Sequence, residues 1–156
     1  MGNEPLVNVK YALICDDIRR EDNGKLILIG AYPDCIAVSR FPLDMRASIA
    51  IFVETMRVGR TDVTTGIFFN EKNISTMSGV LEVDNVGKAS LITPSLRIRD
   101  IDGPGTLHVR IKEGDGEWQE AVSIPIANMD EFFSIETDSP TPREVPETNR
   151  PSEDHE

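Results

Sequence analysis

Long apolar runs, paired cysteines and histidine clusters are what this 156-residue chain has too little of. No apolar stretch approaches the roughly 20 residues that cross a bilayer as a helix, so no membrane span is expected. The opening Met1-Gly2-Asn3-Glu4-Pro5 has no basic segment leading into an apolar one, so no signal peptide is expected. Myristoylation fails too, because Leu6 stands where the motif needs Ser or Thr. The two cysteines, Cys15 and Cys35, have apolar neighbours and read as small buried side chains, free thiols of a reducing cytoplasm. Two histidines, His108 and His155, with no C-x-x-C or H-x-x-x-H spacing, give no zinc site. There is no G-x-S-x-G and no glycine-rich phosphate loop. A Cys15–His108 dyad has only the scarcity of alternatives in its favour. Tyr11, Tyr32 and Trp118 are too dispersed for a sugar platform beside paired carboxylates. The expectation is a protein that is not an enzyme and carries no cofactor.

What is present is acid. Asp and Glu number 27 against 16 Lys and Arg, a net charge of −11. Residues 137–156 hold six acids and two arginines, hence −4, leaving −7 for the body. A body of that sign repels phosphate backbones, which argues against nucleic acid and against unaided docking on anionic lipid. The length suits one domain with a core that needs no disulfide or metal.

The apolar residues recur in short runs separated by turn formers. Strands are predicted over 8–18, 25–32, 35–39, 46–56, 63–70, 74–83, 89–98, 106–112 and 117–126, after a loose arm at 1–7. Asn23-Gly24 between two apolar runs reads as a two-residue hairpin turn, and Gly114-Asp115-Gly116 as another hairpin. Arg46 to Met56 alternates, with Ala47, Ile49, Ile51 and Val53 on one face. Pro94 marks an edge strand or a bulge. Phe41 and Leu43 are expected to plug one end of the core, and Leu107, Val109 and Ile111 to face in, leaving His108, Arg110 and Lys112 in water. A single helical turn is allowed over 127–135. The fold expected is all-β: a two-sheet antiparallel sandwich of eight or nine strands, C2-like or immunoglobulin-like, over 1–136. Residues 137–156 contain four of the ten prolines and one aliphatic residue, Val145, and are expected to be disordered.

Asp16-Asp17 is the pair that attracts interest. Neighbouring strand residues point to opposite faces, so one carboxylate should turn inward and be held by backbone N–H groups or by Arg19 or Arg20. That describes a buried anchor. The functional alternative is a ligand or calcium site in which Asp16 and Asp17 are joined by Asp100 and Asp102, as loops join in C2 domains. Asp100-x-Asp102-Gly103 resembles the opening of an EF-hand loop, but Ile111 occupies the twelfth position and no helices flank it. The candidate binding residues are therefore Asp16, Asp17, Arg19, Arg20, Asp100 and Asp102.

The block Ala12-Leu-Ile-Cys-Asp-Asp-Ile-Arg-Arg20, followed by Gly24-Lys-Leu-Ile-Leu-Ile-Gly-Ala-Tyr32, resembles an uncharacterised bacterial family, a domain of unknown function. Its members open with a Leu-x-Cys-Asp-Asp-(Ile/Val)-Arg strand and a Gly-Lys-x-x-Leu-Ile-Gly-x-Tyr strand. The resemblance implies a small cytoplasmic β-sandwich and transfers no site residue. The function expected is a non-catalytic module that binds a protein partner or a ligand, with calcium-assisted binding as the alternative.

Overall fold

Nine short apolar runs become nine strands. The computed structural model describes residues 5–131, and in chain order these form β1 (Val7–Arg20), β2 (Leu26–Tyr32), β3 (Ile36–Val38), β4 (Leu43–Thr55), β5 (Gly59–Phe69), β6 (Lys72–Val83), β7 (Gly87–Ile101), β8 (Gly105–Glu113) and β9 (Gln119–Asn128). They pair into a four-stranded sheet ordered β2-β1-β4-β7 and a five-stranded sheet ordered β3-β9-β8-β5-β6. The expected two-sheet fold is thus present, with one departure: β3 runs parallel to β9, Ile36 opposite Ile126. Parallel pairing needs a long connection. Here the whole of β4–β8 lies between the two partners, so no sequence-local signal could announce it. The boundary expected at residue 136 and the tail beyond it lie outside the described residues.

The core follows from alternation. Ile14, Ile49, Ile51, Val53 and Ile98 of the four-stranded sheet share one cluster with Ile67, Leu107, Val109, Ile111, Ile124 and Ile126 of the other. None of these eleven side chains is more than 2 % exposed. Burying each such side chain is worth about 1.5–3 kcal/mol. Phe41 and Leu43 pack against this cluster as expected, although Leu43 already belongs to β4.

The turns differ from their sequence signals. Asn23-Gly24 is not a two-residue turn. Glu21 and Lys25 are joined by a 2.9 Å backbone bond around a three-residue loop, Gly24 N–H donates to the Glu21 carbonyl, and Gly24 has φ +84°. The Asn23 side-chain oxygen accepts the Lys25 N–H at 2.9 Å, a local bond that holds this loop without a second left-handed residue. The two-residue turn sits instead at Asn70-Glu71, between paired Phe69 and Lys72, with φ of 46° and 69°. β7 is both an edge strand and bulged: the register with β4 slips between Ala47 and Ile49, and Ser95, beside Pro94, takes φ 53° while its N–H donates to Ser48 Oγ. β9 begins two residues later than expected, leaving Glu117 and Trp118 in the loop. It runs on to Asn128, and only residues 129–131 of the described chain start a helical turn.

The N-terminal arm is less loose than its sequence suggests. Leu6 and Val7 are buried, and their N–H groups donate to the two carboxylate oxygens of Glu113 at 2.9 and 2.7 Å. The Leu6 carbonyl accepts the Met56 N–H at 2.8 Å. One acidic side chain at the end of β8 thereby fastens the first strand across the sandwich.

Candidate binding surface

The Asp16-Asp17 pair is not a buried anchor. β1 pairs with β4 only as far as Cys15 opposite Ser48; from Asp16 onward it runs with β2 alone. In a two-stranded ribbon both faces reach water, so alternation sends neither carboxylate into a core. Asp16 is exposed, accepts the Tyr32 hydroxyl at 2.6 Å, and lies against Gly30, whose φ of +65° and missing Cβ make the room. Burial, then the hydrogen bond and charge of Asp16, push Tyr32 up to about 12. Asp17 accepts the Ile18 N–H at 2.9 Å and the Arg19 Nε at 3.0 Å, in a half-exposed pair. Arg20 is exposed on the opposite face of the strand from Arg19. Asp100 has φ 59° near the end of β7, and Asp102 is exposed in the loop after it. Among the described residues no three His, Cys, Asp or Glu side chains come together as metal ligands. The four aspartates therefore do not assemble the calcium site considered from sequence.

Cys15 and His108 sit on the outer faces of different sheets, which parts the only dyad the sequence offered. Burial, then Asp16 and Asp17, raise the Cys15 thiol pKa; it and Cys35 are both free thiols. Cys35 lies just before β3 rather than in it.

On the five-stranded sheet His108, Arg110 and Lys112 do face outward, but the first two are not left in water. Arg110 clasps the turn residue Glu71 with two bonds of 2.7 and 2.8 Å. His108 Nδ1 is 2.8 Å from Glu120 and its Nε2 3.5 Å from Glu71. Their side chains are only 15 % and 19 % exposed. The Arg110 guanidinium stacks 4.8 Å from the Phe68 ring centroid, Trp118 meets the same ring edge-on at 5.3 Å, and Lys112 Nζ covers Trp118 at 5.2 Å. The Arg110 charge is thus met by Glu71 and, at 3.5 Å, by Glu120. The network ties the β5–β6 turn to β8 and β9.

The outer face of the four-stranded sheet is of another kind. Cross-strand register sets Leu13 beside Ala50 and Ala50 beside Ile92, then Tyr11 beside Phe52 and Phe52 beside Ser90. Ile29 and Ile27 continue the apolar surface on β2, opposite Asp17 and Arg19. Tyr11 is 51 % exposed, Ile27 42 % and Ile29 40 %. Tyr11 and Phe52 stack with centroids 4.6 Å apart, lining a groove of about 330 Å³ together with Lys10, Glu54 and Lys88. Lys10 is paired with Glu54 at 2.7 Å, and Arg97 grips Asp44 at 2.9 and 2.6 Å. The Arg97 bond, and then the charges of Arg97, Arg99 and Arg46, hold the Asp44 carboxyl below its usual range. The rim thus carries Lys10, Arg19, Arg46, Lys88, Arg97 and Arg99 against Asp17, Asp44 and Glu54. An apolar centre with a charged rim is the anatomy of a protein interface.

None of the aspartates and arginines singled out from sequence, apart from Asp17 and Arg19, belongs to this surface. Its signal was present nonetheless. Ala12-Leu-Ile-Cys15, Leu26-Ile-Leu-Ile29 and Ile49-Ala-Ile-Phe-Val53 are unbroken apolar runs, and a strand with one face in water alternates instead.

Comparison with curated proteins found no match. A family model described as "Family of unknown function (DUF6941)" matches residues 10–127, a span that takes in all of the apolar face and its rim. With the greater part of the chain under that match, this protein belongs to the DUF6941 family.

Proposed function

We propose that this chain is a non-catalytic binding module of the bacterial cytoplasm that docks a protein partner on the outer face of its four-stranded sheet. One observation carries the reading: Tyr11, Ile27 and Ile29 stand in water at 40 % exposure or more on one face, where Tyr11 lies beside Phe52 and Leu13 beside Ala50 and, through it, Ile92, and the Cys15–Ala31 pair leads on to Ile29 and Ile27, opposite Asp17 and Arg19. Leaving such a patch bare forgoes burial worth about 25 cal/mol per Å² and invites aggregation, so a covering partner is favoured. The cytoplasmic setting is supported by the two free thiols, and a protein partner rather than nucleic acid by the net charge of −11.

The test is retention from a lysate of the source organism by the immobilised full chain, compared with Ile29→Glu, Tyr11→Ser and, on the opposite sheet, Lys112→Ala. A specific partner held by wild type and Lys112→Ala, and lost from both face variants at unchanged melting temperature, is the expected result. Retention indifferent to Ile29→Glu and Tyr11→Ser overturns the surface assignment, and turnover of a bound small molecule overturns the non-catalytic half.

A further inference from the structure

We propose that residues 137–156 of this same chain dock in the Tyr11–Phe52 groove and so act as a built-in competitor for the partner. This rests on reading that face as a docking surface, but on nothing about the partner itself.

Charge selects the occupant. The chain as a whole carries −11, yet six cations face three anions around this sheet face. The groove itself is lined by Lys10, Lys88 and Glu54, and since Lys10 is paired with Glu54 at 2.7 Å, Lys88 is its cation in excess. Two copies of the face would set like charge against like, which disfavours a face-to-face dimer. An acidic segment is complementary, and 137–156 supplies one with six acids and two arginines.

Shape selects it again. Pro140, Pro142 and Pro146 bias their stretch toward polyproline II, a conformation that docks into aromatic-lined grooves at little ordering cost. Stacked Tyr11 and Phe52 form such a wall, and Glu144 and Glu147, which bracket Pro146 in the sequence, complement Lys88, the groove cation that Glu54 does not already pair. Length permits it. The described chain ends at residue 131, and fifteen further residues to Pro146 extend to roughly 50 Å at about 3.3–3.6 Å each. A domain of this size has a radius of gyration of roughly 14 Å, so every face lies within reach. A tethered ligand of this kind works at an effective concentration on the order of millimolar, enough to weaken a partner's apparent affinity severalfold without high affinity of its own.

Carbodiimide coupling of the full chain, read by peptide mass spectrometry, tests this because it joins only amines and carboxylates already in contact. Lys10–Glu54, 2.7 Å apart, is the internal positive control, and Lys72, in the five-stranded sheet, is the background. The expected result is Lys88 joined to Glu144 or Glu147 at least fivefold above Lys72. In a mixture of light and isotope-labelled protein these links fall within one chain. They drop severalfold in about 1 M salt, where the screening length is ~3 Å, in Tyr11→Ser, and in a Pro140→Ala, Pro142→Ala, Pro146→Ala variant that leaves every described contact in place. Links at Lys88 no more frequent than at Lys72, or found only between chains, overturn the proposal. If they fail while the face variants still lose the partner, the tail is excluded and the docking surface stands.

Discussion

Tyr32 and Asp16 show how a residue's neighbours decide its chemistry. Because burial and the Asp16 carboxylate favour the neutral phenol, Tyr32 stays protonated up to about 12. A raised acid pKa contributes stability that is fully present below the unfolded value of 10.0 and is lost as pH rises through the folded one. In a Tyr11→Phe background, phenolate absorbance against pH is expected to rise near 12, and in Asp16→Asn to shift down while remaining above 10, since burial persists. Gly30 is the companion of this pair: at φ +65° a Cβ would collide with the Asp16 carboxylate. Gly30→Ala is expected to cost about 1–3 kcal/mol in urea denaturation, combining backbone strain with that clash. A cost near zero would show that Asp16 swings aside freely. Gly30 and Tyr32 stand in the Leu-Ile-Gly-Ala-Tyr run that carries the family resemblance, but their link to Asp16 needed the β1–β2 register, with Cys15 opposite Ala31.

At the scale of elements, single side chains fasten distant segments. Glu113 is the only side chain bonded to the Leu6 and Val7 N–H groups among the hydrogen bonds described. Glu113→Ala leaves the N–H groups of two buried residues without that acceptor, and is expected to lower stability by about 1–3 kcal/mol, with faster hydrogen exchange at Leu6, Val7 and Met56. Exchange unchanged at those amides would remove the clamp. Glu71 ties the β5–β6 turn to β8 through Arg110, whose hydrogen bond, then charge, depresses the Glu71 carboxyl. A depressed pKa contributes stability present above the unfolded value, 4.5, and lost as pH falls through the folded one. The difference in melting temperature between wild type and Glu71→Gln is therefore expected to be present at pH 7 and to vanish in acid below that value. Alternation in the sequence put His108 and Arg110 on the outer face correctly, but only the pairing of β8 with both β5 and β9 could set carboxylates around them.

For the whole molecule, stability resides between the sheets, and the proposed docking face lies outside them. Leu107, wholly buried in the shared cluster, is expected to lose about 2–5 kcal/mol on change to Ala, measured by urea midpoint. Ile29→Glu, on the exposed face, is expected to change the midpoint little while abolishing partner retention. A molecule that binds through that face should show this separation; one in which the face merely completes the fold should lose stability in both variants.

What is local could be read from the residues alone: nine strands of nearly the right extent, which side of β4 and β8 turns inward, and the edge or bulge marked by Pro94. These follow from a two-residue period and from turn residues that act within a few positions of themselves. Contacts between segments far apart in the chain set the rest: the parallel β3–β9 pairing, the exposure of Asp16 where β4 no longer accompanies β1, the Glu113 clamp, and the apolar face. That face spans β2, β1, β4 and β7, and an exposed side chain differs from a covered one only by what another segment places over it.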